Sequence, residues 1–212
     1  LISNSKLAVT YKYHHGYYDG EEREFRGFGM VEQLDEEVFD ENSLNAEENI
    51  HFVPPIHTKT WFHTGAYVKG GIISTQYKKE YYSEDTEAYA LPDTVIENAE
   101  NFTYTAKREA CRALRGQVLR TEVYALDKTD KEIHPYSVSE MNFAVRQLQA
   151  HHQNKFAVYL VHPNESISFA YERDHKDPRI SHSITVDVDN YGIATQSAEV
   201  VYPRRDGQPN TY

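Results

Sequence analysis

The chain has 212 residues, enough for one large domain or two small ones, and its 33 acidic and 22 basic residues give a formal net charge of -11. An electrostatic field of that sign repels nucleic acids and anionic membrane surfaces, so neither is an expected partner. Hydrophobic residues make up only 39% of the chain, yet 17 residues are tyrosines. Because tyrosine buries its ring and keeps its hydroxyl near water, this composition favours a broad, half-wet β-sheet.

Targeting and redox signals are sparse. The single cysteine, Cys111, cannot form an intrachain disulfide, and its surroundings favour a small buried helix residue. No apolar run approaches the ~18 residues of a membrane span. The first ten residues, LISNSKLAVT, lack the basic region and long apolar stretch of a signal peptide. We therefore expect no direct membrane insertion, and because the first residue is Leu we expect a piece of a longer chain.

The first predicted element is a strand in which Leu7, Val9, Tyr11 and Tyr13 share one face. It runs into HHGYYDGEEREFRGFG at 14–29, which concentrates histidines, carboxylates and glycines and so raises the question of a metal or catalytic site.

A structural interpretation of residues 14–29 is favoured. Strand alternation places His14 and His15 on opposite faces, so at most one of them joins any site with Asp19. The alternating charges and phenylalanines predict cross-strand ion pairs and aromatic contacts. Gly27 and Gly29 predict places where another strand or a ring comes close. We expect a hairpin-like piece of sheet.

Two stretches predict long acidic loops, at about 35–60, where Pro54-Pro55 interrupts the chain, and at 83–100. Between them, alternation in 59–68 and 73–77 predicts further strands. Neither loop shows the composition shift of a domain boundary, so residues 1–212 are predicted to be a single β-rich segment.

Helical periodicity appears once. In TAKREACRALR at 105–115 the residues Ala106, Ala110, Ala113 and Leu114 form an apolar stripe, and Gly116 follows as a natural C-cap. Beyond this short helix, strands are predicted at 118–124 and 132–145. A hairpin is predicted from 157–161 and 167–171 around the turn HPNES, and another from 180–188 and 193–201 around DNYG.

Motifs for chemistry are absent from the sequence. The pair His151-His152 has the same alternation defect as the first pair, and His57, His63, His134, His162 and His175 are scattered without HExxH or another ligand spacing. There is no GxSxG and no GxxxxGK phosphate loop. We predict no catalytic, cofactor-binding or metal-binding residues, no cofactor, and no enzymatic activity; pH sensing by the histidines stays open.

Three predicted turns show a weak internal sequence similarity. An aromatic residue and an aspartate precede or enter a turn in YYDG at 17–20, YALDKTDK at 124–131 and VDNYG at 188–192, like the strand-turn-strand unit of YD repeats. The spacing is too irregular for periodicity alone to establish a repeat.

Long segments resemble a known family. They are YKYHHGYYDGEEREFRGFGMVEQ, KTWFHTGAY, REACRALRGQVLRTEVYALD, HPYSVSEMNFAVRQLQ, VHPNESISFAYERDHKDPRISHSITVDVDNYG and VYPRR. In this order, from Tyr11 to Arg205, the chain resembles the B component of the bacterial Tc insecticidal toxin complexes, in the region after that family's β-propeller.

The resemblance implies a fold and a role. In that family, the B component and the N-terminal part of the C component form a hollow shell of spiralling antiparallel β-sheet related to Rhs and YD repeats. The shell encloses the cytotoxic C-terminal segment of the C component, which the A component channel injects into the host cell. This chain would be a section of the wall in a secreted toxin complex, without the propeller, the autoproteolytic aspartates or the toxic enzyme.

A second hypothesis is a binding module. In it, the acidic loops at 35–60 and 83–100 contact a partner toxin subunit or a host surface.

Overall fold

The computed structural model describes residues 5–39, 53–67, 73–151, 154–205 and 207. Within them the chain forms nine strands and one α-helix, together with short 3-10 turns at Lys78–Glu80 and Ala99–Asn101. The elements are β1 (Ser5–Asp19), β2 (Glu24–Phe39), β3 (Ile56–Phe62), β4 (Val95–Ile96), α1 (Tyr104–Ala113), β5 (Val118–Ala125), β6 (Ser137–Gln149), β7 (Val158–Ala170), β8 (Arg179–Val188) and β9 (Ala194–Val201).

All nine strands belong to one sheet. Its order is β1-β2-β3-β5-β6-β7-β8-β9, with every neighbouring pair antiparallel, so the strands follow one another in space as they do in the chain. The short β4 pairs in parallel with β6 at Ala144 and Val145, beyond the point where β5 stops pairing with β6. The predicted mainly β, antiparallel architecture with one short helix is confirmed.

The segment between β3 and β5, described at residues 63–67 and 73–117, is what we call the insertion; apart from β4 it lies outside the sheet, and it packs against one of the sheet's faces. Its helix buries Ala110 and Cys111, and Thr103 caps the first turn by accepting a hydrogen bond from the Ala106 amide at 3.2 Å. Tyr159 of β7 donates its hydroxyl hydrogen bond to the Ala106 carbonyl, which ties the helix to the sheet. The observed helix agrees with the predicted one at 105–115 to within two residues at each end, and Gly116 follows it with a φ of 82°.

The two predicted loops are shorter than expected. Residues 35–39 continue β2 and residues 56–60 begin β3, so acidic composition was a poor guide where both strands pair in register through Asp35 and Ile56. Residues 40–52 lie outside the described part of the chain. Residues 83–100 contain β4 and a 3-10 turn, and they pack back on the sheet through the buried Leu91.

The predicted hairpin around HPNES is wrong, because β7 runs straight through residues 162–166. Asn142 and Phe143 of β6 pair with Glu165 and Pro163, so Asn164 is an extra residue in β7 and the ladder is locally interrupted. The Asn142 side-chain oxygen accepts the Glu165 amide at 2.8 Å and so replaces a ladder bond. Turn-forming residues are thus absorbed into a β-bulge.

The strand predicted at 73–77 is also wrong. The backbone amides of Ile73 and Ser74 donate to the Asp93 carboxylate at 2.9 and 2.6 Å, which holds this segment as a loop.

The three similar turns, at 17–20, 124–131 and 188–192, share one local geometry. In each, an aspartate at or just beyond a strand end accepts a hydrogen bond from the backbone amide two residues later. The donors and distances are Glu21 to Asp19 at 3.0 Å, Thr129 to Asp127 at 3.2 Å and Tyr191 to Asp189 at 2.8 Å.

Candidate functional site

The strand register gives the sheet two unlike faces. Residues directly opposite each other on antiparallel strands carry their side chains on the same face, and the next residue along each strand points to the other. One row across the sheet, on what we call the covered face, contains His14, Met30, Trp61, Arg120, Glu140, Ile167, His182 and Val200. The adjacent row, on the opposite face, contains Tyr13, Val31, Thr60, Thr121, Ser139, Ser168, Ser181 and Val201.

Trp61 anchors the segment that lies over the covered face. Its side chain is fully buried, and its indole N–H donates to the Glu80 carboxylate at 3.2 Å. The Tyr81 ring stands edge-on against it with 5.0 Å between ring centroids. Met30 and Phe143 complete the same hydrophobic cluster. Burial of these large side chains fixes the inserted segment on this side of the sheet.

Beside Trp61, the covered face holds a buried charge cluster. Glu122 is 1% exposed and accepts hydrogen bonds from the Arg120 Nε, the Tyr124 hydroxyl and the Tyr82 amide at 2.7, 2.7 and 2.8 Å. Arg120 also donates to Glu140 at 2.6 Å. Burial alone lowers the pKa of Arg120, but the charges of Glu122 and Glu140 reverse this and raise it. The carboxylates are engaged in internal bonds, which is the arrangement of a structural network.

Histidines from β1 and β3 meet one carboxylate of β2. The Nε2 atoms of His14 and His57 each lie 2.7 Å from a different oxygen of Glu32. Burial raises the pKa of Glu32, but the hydrogen bonds from His57 and His14 outweigh it and the pKa is lowered. The arrangement links three adjacent strands.

The prediction that His14 and His15 point to opposite faces is wrong. His15 has a φ of 55°, which breaks the alternation, and its Nε2 lies 3.0 Å from the carboxylate of Glu80 over the covered face. The two histidines nonetheless contact different carboxylates. Among the described residues, no group of three or more His, Cys, Asp and Glu side chains is placed to hold a metal ion.

The β1–β2 turn is joined to helix α1 by what we call the hairpin–helix clasp. The buried Asp19 carboxylate pairs with the Arg26 Nη2 at 2.7 Å and the Arg108 Nη2 at 3.0 Å. Glu24 pairs with the Arg115 Nη1 at 2.6 Å. Burial raises the pKa of Asp19, but the Glu22 amide, Arg108 and Arg26 together lower it. The sequence predicted ion pairs between the two strands of this hairpin. Most of the ion pairs observed in the hairpin instead join it to arginines of α1 and of the turn that follows it.

The remaining candidate side chains are dispersed. Burial raises the pKa of the Cys111 thiol to about 12, so it stays protonated at neutral pH. Burial lowers the pKa of His63 to about 4, against the opposing charge of Asp93, and its Nε2 has no hydrogen-bond partner among the residues that the structure describes. His134 stacks on His175 with ring centroids 5.0 Å apart. His151 is exposed, and His152 lies outside the described residues.

The face opposite the covered one is lined mostly by small side chains that carry hydroxyl groups. Three rows of paired residues on β3 and β5 to β8 define what we call the hydroxyl face. Its thirteen members are Thr58, Thr60, Thr121, Val123, Ser137, Ser139, Met141, Ser166, Ser168, Ala170, Arg179, Ser181 and Ser183. Nine are Ser or Thr, one, Arg179, is charged, and none is buried, in contrast to the largely buried residues behind them.

The hydroxyl face was not among the features predicted from the sequence, although the sequence carries a signal for it. Four strands carry hydroxyl residues at i and i+2, in TKT at 58–60, SVS at 137–139, SIS at 166–168 and SHS at 181–183. In each of these strands the hydroxyl residues alternate with the residues of the covered face, so the pattern that predicts the strand also marks its polar side.

The helices of the described chain are short. None is long and apolar enough to cross a membrane.

Comparison with known proteins identifies the family. Residues 2–65 match the middle/N-terminal region of insecticide toxin TcdB, and residues 109–212 match its middle/C-terminal region. Comparison with curated protein sequences gave no match.

Solved structures agree with the family match. The crystal structure of TcdB2-TccC3 is 34% identical with a TM-score of 0.81, and that of TcdB2-TccC3-Cdc42 is 36% identical with a TM-score of 0.82; each alignment covers 100% of this chain. The Photorhabdus luminescens Tc holotoxin pore is 35% identical over 99% of the chain, with a TM-score of 0.80. The chain spans about 10% of the matched chain in each of these structures.

Both halves of one toxin region match in chain order, and the sheet superimposes on a β-shell segment of solved toxin complexes. The chain therefore belongs to the B component family of the insecticidal Tc toxins, in the middle region of that component.

Proposed function

We propose that this chain forms part of the wall of a hollow shell that encloses the cytotoxic segment of a C component before an A component channel injects it. The toxin complex acts outside the bacterium, as a secreted assembly. In this role the chain is structural, it carries out no reaction, and it needs no metal or cofactor. Its partners are the C component, which shares the shell, and the A component, which the rest of the B subunit contacts.

The observation that carries the proposal is the combination of one continuous sheet with two unlike faces. Eight strands pair in chain order, so the strip extends sideways by adding strands, which suits a spiralling wall. One face is covered by the chain's own insertion, while the hydroxyl face carries no buried residue. An antiparallel sheet can pack one face on a core and leave the other open, which suits a wall that encloses a space.

The contacts of residues 83–100 argue against the binding-module alternative. The Pro92 carbonyl accepts from the Asn142 side chain at 2.9 Å, and the Thr94 hydroxyl accepts the Phe143 amide at 3.2 Å. Asp85 is buried and bonded to Tyr171. This stretch is therefore engaged with its own sheet.

The test opens the wall at one place. Replacing residues 179–201, which hold β8 and β9, by a Gly-Ser linker removes two strands from the assembled B–C complex. We expect the cargo to become sensitive to added protease, because the linker leaves a gap in the enclosure. The measurement is the survival of cargo during limited proteolysis of the purified complex.

A matched control changes the same hairpin without removing it. Tyr191 is 86% exposed in the β8–β9 turn, so Tyr191→Ser should leave the cargo protected. A linker variant that still binds the C component and keeps its cargo fully protected would contradict the wall proposal.

A further inference from the structure

The hydroxyl face differs in charge from the rest of the molecule. Charged residues make up 26% of the chain, yet the thirteen positions of this face include one, Arg179. On the other side of the sheet, the insertion carries charges at exposed positions such as Lys78, Lys79, Glu84 and Glu100. A charged surface suits contact with bulk solvent, where it keeps a protein soluble. The hydroxyl face, with its single charge, is suited to contact with something other than bulk solvent.

The chemistry of the hydroxyl face makes it a weak binder of polypeptide. Attraction for an unfolded chain comes mainly from large apolar side chains, which gain by removing its apolar groups from water, and from opposite charges. Ser and Thr offer little apolar area, and their hydroxyls exchange one hydrogen bond with water for another at little net gain. The face has few features that would hold a passing segment.

The backbone beneath this face is also closed to association. β5, β6, β7 and β8 each have a paired strand on both sides, so their amide and carbonyl groups are committed to the sheet. An extended segment of cargo cannot add to these strands by β-augmentation, which needs a free edge.

We propose that the hydroxyl face lines the interior of the shell and acts as a non-adhesive surface toward the enclosed, non-native polypeptide. This inference rests on the proposed wall function and adds which side of the wall meets the cargo. An enclosed chain touches the lining at many points at once, so even weak adhesion at each point would multiply and delay its exit. A lining of small hydroxyls keeps each contact weak, which leaves the cargo free to depart when the exit opens.

The first experiment reads the orientation of the face. Ser139→Cys places a thiol on the hydroxyl face, and Lys79→Cys places one on the exposed surface of the insertion. Both variants are made in the full B subunit with its other accessible thiols replaced by serine, and assembled with the C component. A bulky polyethylene glycol maleimide should modify Lys79→Cys rapidly and Ser139→Cys only after denaturation, because a closed shell excludes the polymer.

The outcomes separate this inference from the wall proposal. If Ser139→Cys reacts as fast as Lys79→Cys in complexes whose cargo resists protease, the wall stands and the inward assignment is wrong. If the cargo is protease-sensitive in the unmodified complex, the wall proposal itself is wrong.

The second experiment tests adhesion. Thr121→Leu, Ser139→Leu and Ser168→Leu, combined, place three large apolar side chains on one row of the face. Cargo release through an opened A component should slow by at least about tenfold, because each leucine gives the cargo an apolar contact. The control combines Lys79→Leu, Glu84→Leu and Glu100→Leu, which adds the same groups to the insertion and should leave release unchanged. Equal release rates in both triple variants would overturn the non-adhesive role.

Discussion

At the scale of single residues, two neighbouring glycines serve different purposes. Gly29 leaves room for Tyr77, because a Cβ at this position would overlap the Tyr77 hydroxyl oxygen and lie 2.6 Å from its Cζ. Gly27 has open space around it but adopts a φ of 102°, a conformation that other residues rarely take. The sequence-based expectation of close approach therefore holds for Gly29, whereas Gly27 is required by the backbone.

Gly29→Ala should destabilise the β1–β2 hairpin, because the new methyl group displaces Tyr77 from the insertion core. We expect a cost of about 1–3 kcal/mol, typical of overpacking. The measurement is the midpoint of urea unfolding followed by tyrosine and tryptophan fluorescence. Gly20→Ala is the control, since a Cβ there has nothing within 4 Å. Equal midpoints for the two variants would show that Tyr77 yields without cost.

His63 should make the local stability depend on pH. Burial lowers its pKa to about 4 from the ordinary 6.5, so between these values the unfolded chain binds a proton that the folded chain does not. This histidine therefore imposes no penalty above pH ~6.5, and its effect destabilises the fold as the pH falls toward 4, by at most about 1.4 kcal/mol per pH unit.

The measurement is hydrogen exchange of the amides of His63 and Gly116, which bond β3 to the segment before β5, between pH 7.5 and 5. After correction for intrinsic rates, His63→Gln should show a shallower loss of protection than the unmodified protein. His151→Gln, at an exposed position, should follow the unmodified protein. An unchanged slope in His63→Gln would assign the acid response to other groups.

At the scale of elements, the hairpin–helix clasp holds two pieces that are distant in sequence. Asp19 and Arg108 lie 89 residues apart, and their ion pair fixes the end of the first hairpin against α1. Arg26 adds a second contact by donating to the Gly65 carbonyl at 2.8 Å. The clasp is buried at Asp19 and Arg26 and exposed toward Arg112, so its ion pairs should contribute unequally to the stability of the fold.

Arg26→Met should loosen the clasp, because it removes one of the two arginines that pair with the buried Asp19. We expect a loss of about 3 kcal/mol, the usual cost of breaking a buried pair. The control is Arg112→Met, since Arg112 is half-exposed in its 3.2 Å pair with Glu24 and should change stability by less than about 1 kcal/mol. Hydrogen exchange of residues 14–29 and of α1 reports both variants, and matching protection would contradict the clasp.

Element prediction succeeded where the signal was local. The last hairpin and the helix at 105–115 follow from alternation, turn residues and a 3.6-residue period that are complete within each segment. β7 could not be predicted across HPNES, because the bulge at Asn164 is defined only by the pairing of β7 with Asn142 and Phe143 of β6, about 20 residues earlier. The hydroxyl face likewise depends on the register of five strands, although each strand carried part of the pattern.

At the scale of the whole molecule, the insertion is tied to the chain beyond β9. Asp85 accepts from the Arg205 Nη1 and Nη2 atoms at 2.9 and 3.0 Å and from the Tyr171 hydroxyl at 2.9 Å. Burial raises the pKa of Asp85, but the hydrogen bonds from Arg205 and Tyr171 lower it overall. Its contribution to stability is therefore present above the ordinary aspartate pKa and is lost as the pH falls through the lowered value.

Asp85→Asn should release residues 82–91 from the sheet, because Arg205 loses the charge that it pairs with. The expected cost is about 3 kcal/mol near neutral pH. Glu87→Gln is the matched control, since Glu87 is 74% exposed at 3.6 Å from the Arg205 Nε, and it should shift stability by less than about 0.5 kcal/mol. Limited proteolysis within residues 82–91 distinguishes the two, and equal cleavage rates would contradict the role of Asp85.

That residues 1–212 act as a single unit stays a prediction.

Strand order has a consequence for how the sheet assembles in time. Most strands pair with the strand that follows them in the chain. These pairs, which we call joints, therefore close short loops, and their cost in loop-closure entropy is small. The exception is the β3–β5 joint, which closes over the whole insertion and therefore carries the largest loop-closure cost. We expect pulse-labelled hydrogen exchange during refolding to show this joint protected after the β8–β9 joint. A wall with this strand order adds its strands one after another along the chain, and one strand pair, β3–β5, forms late.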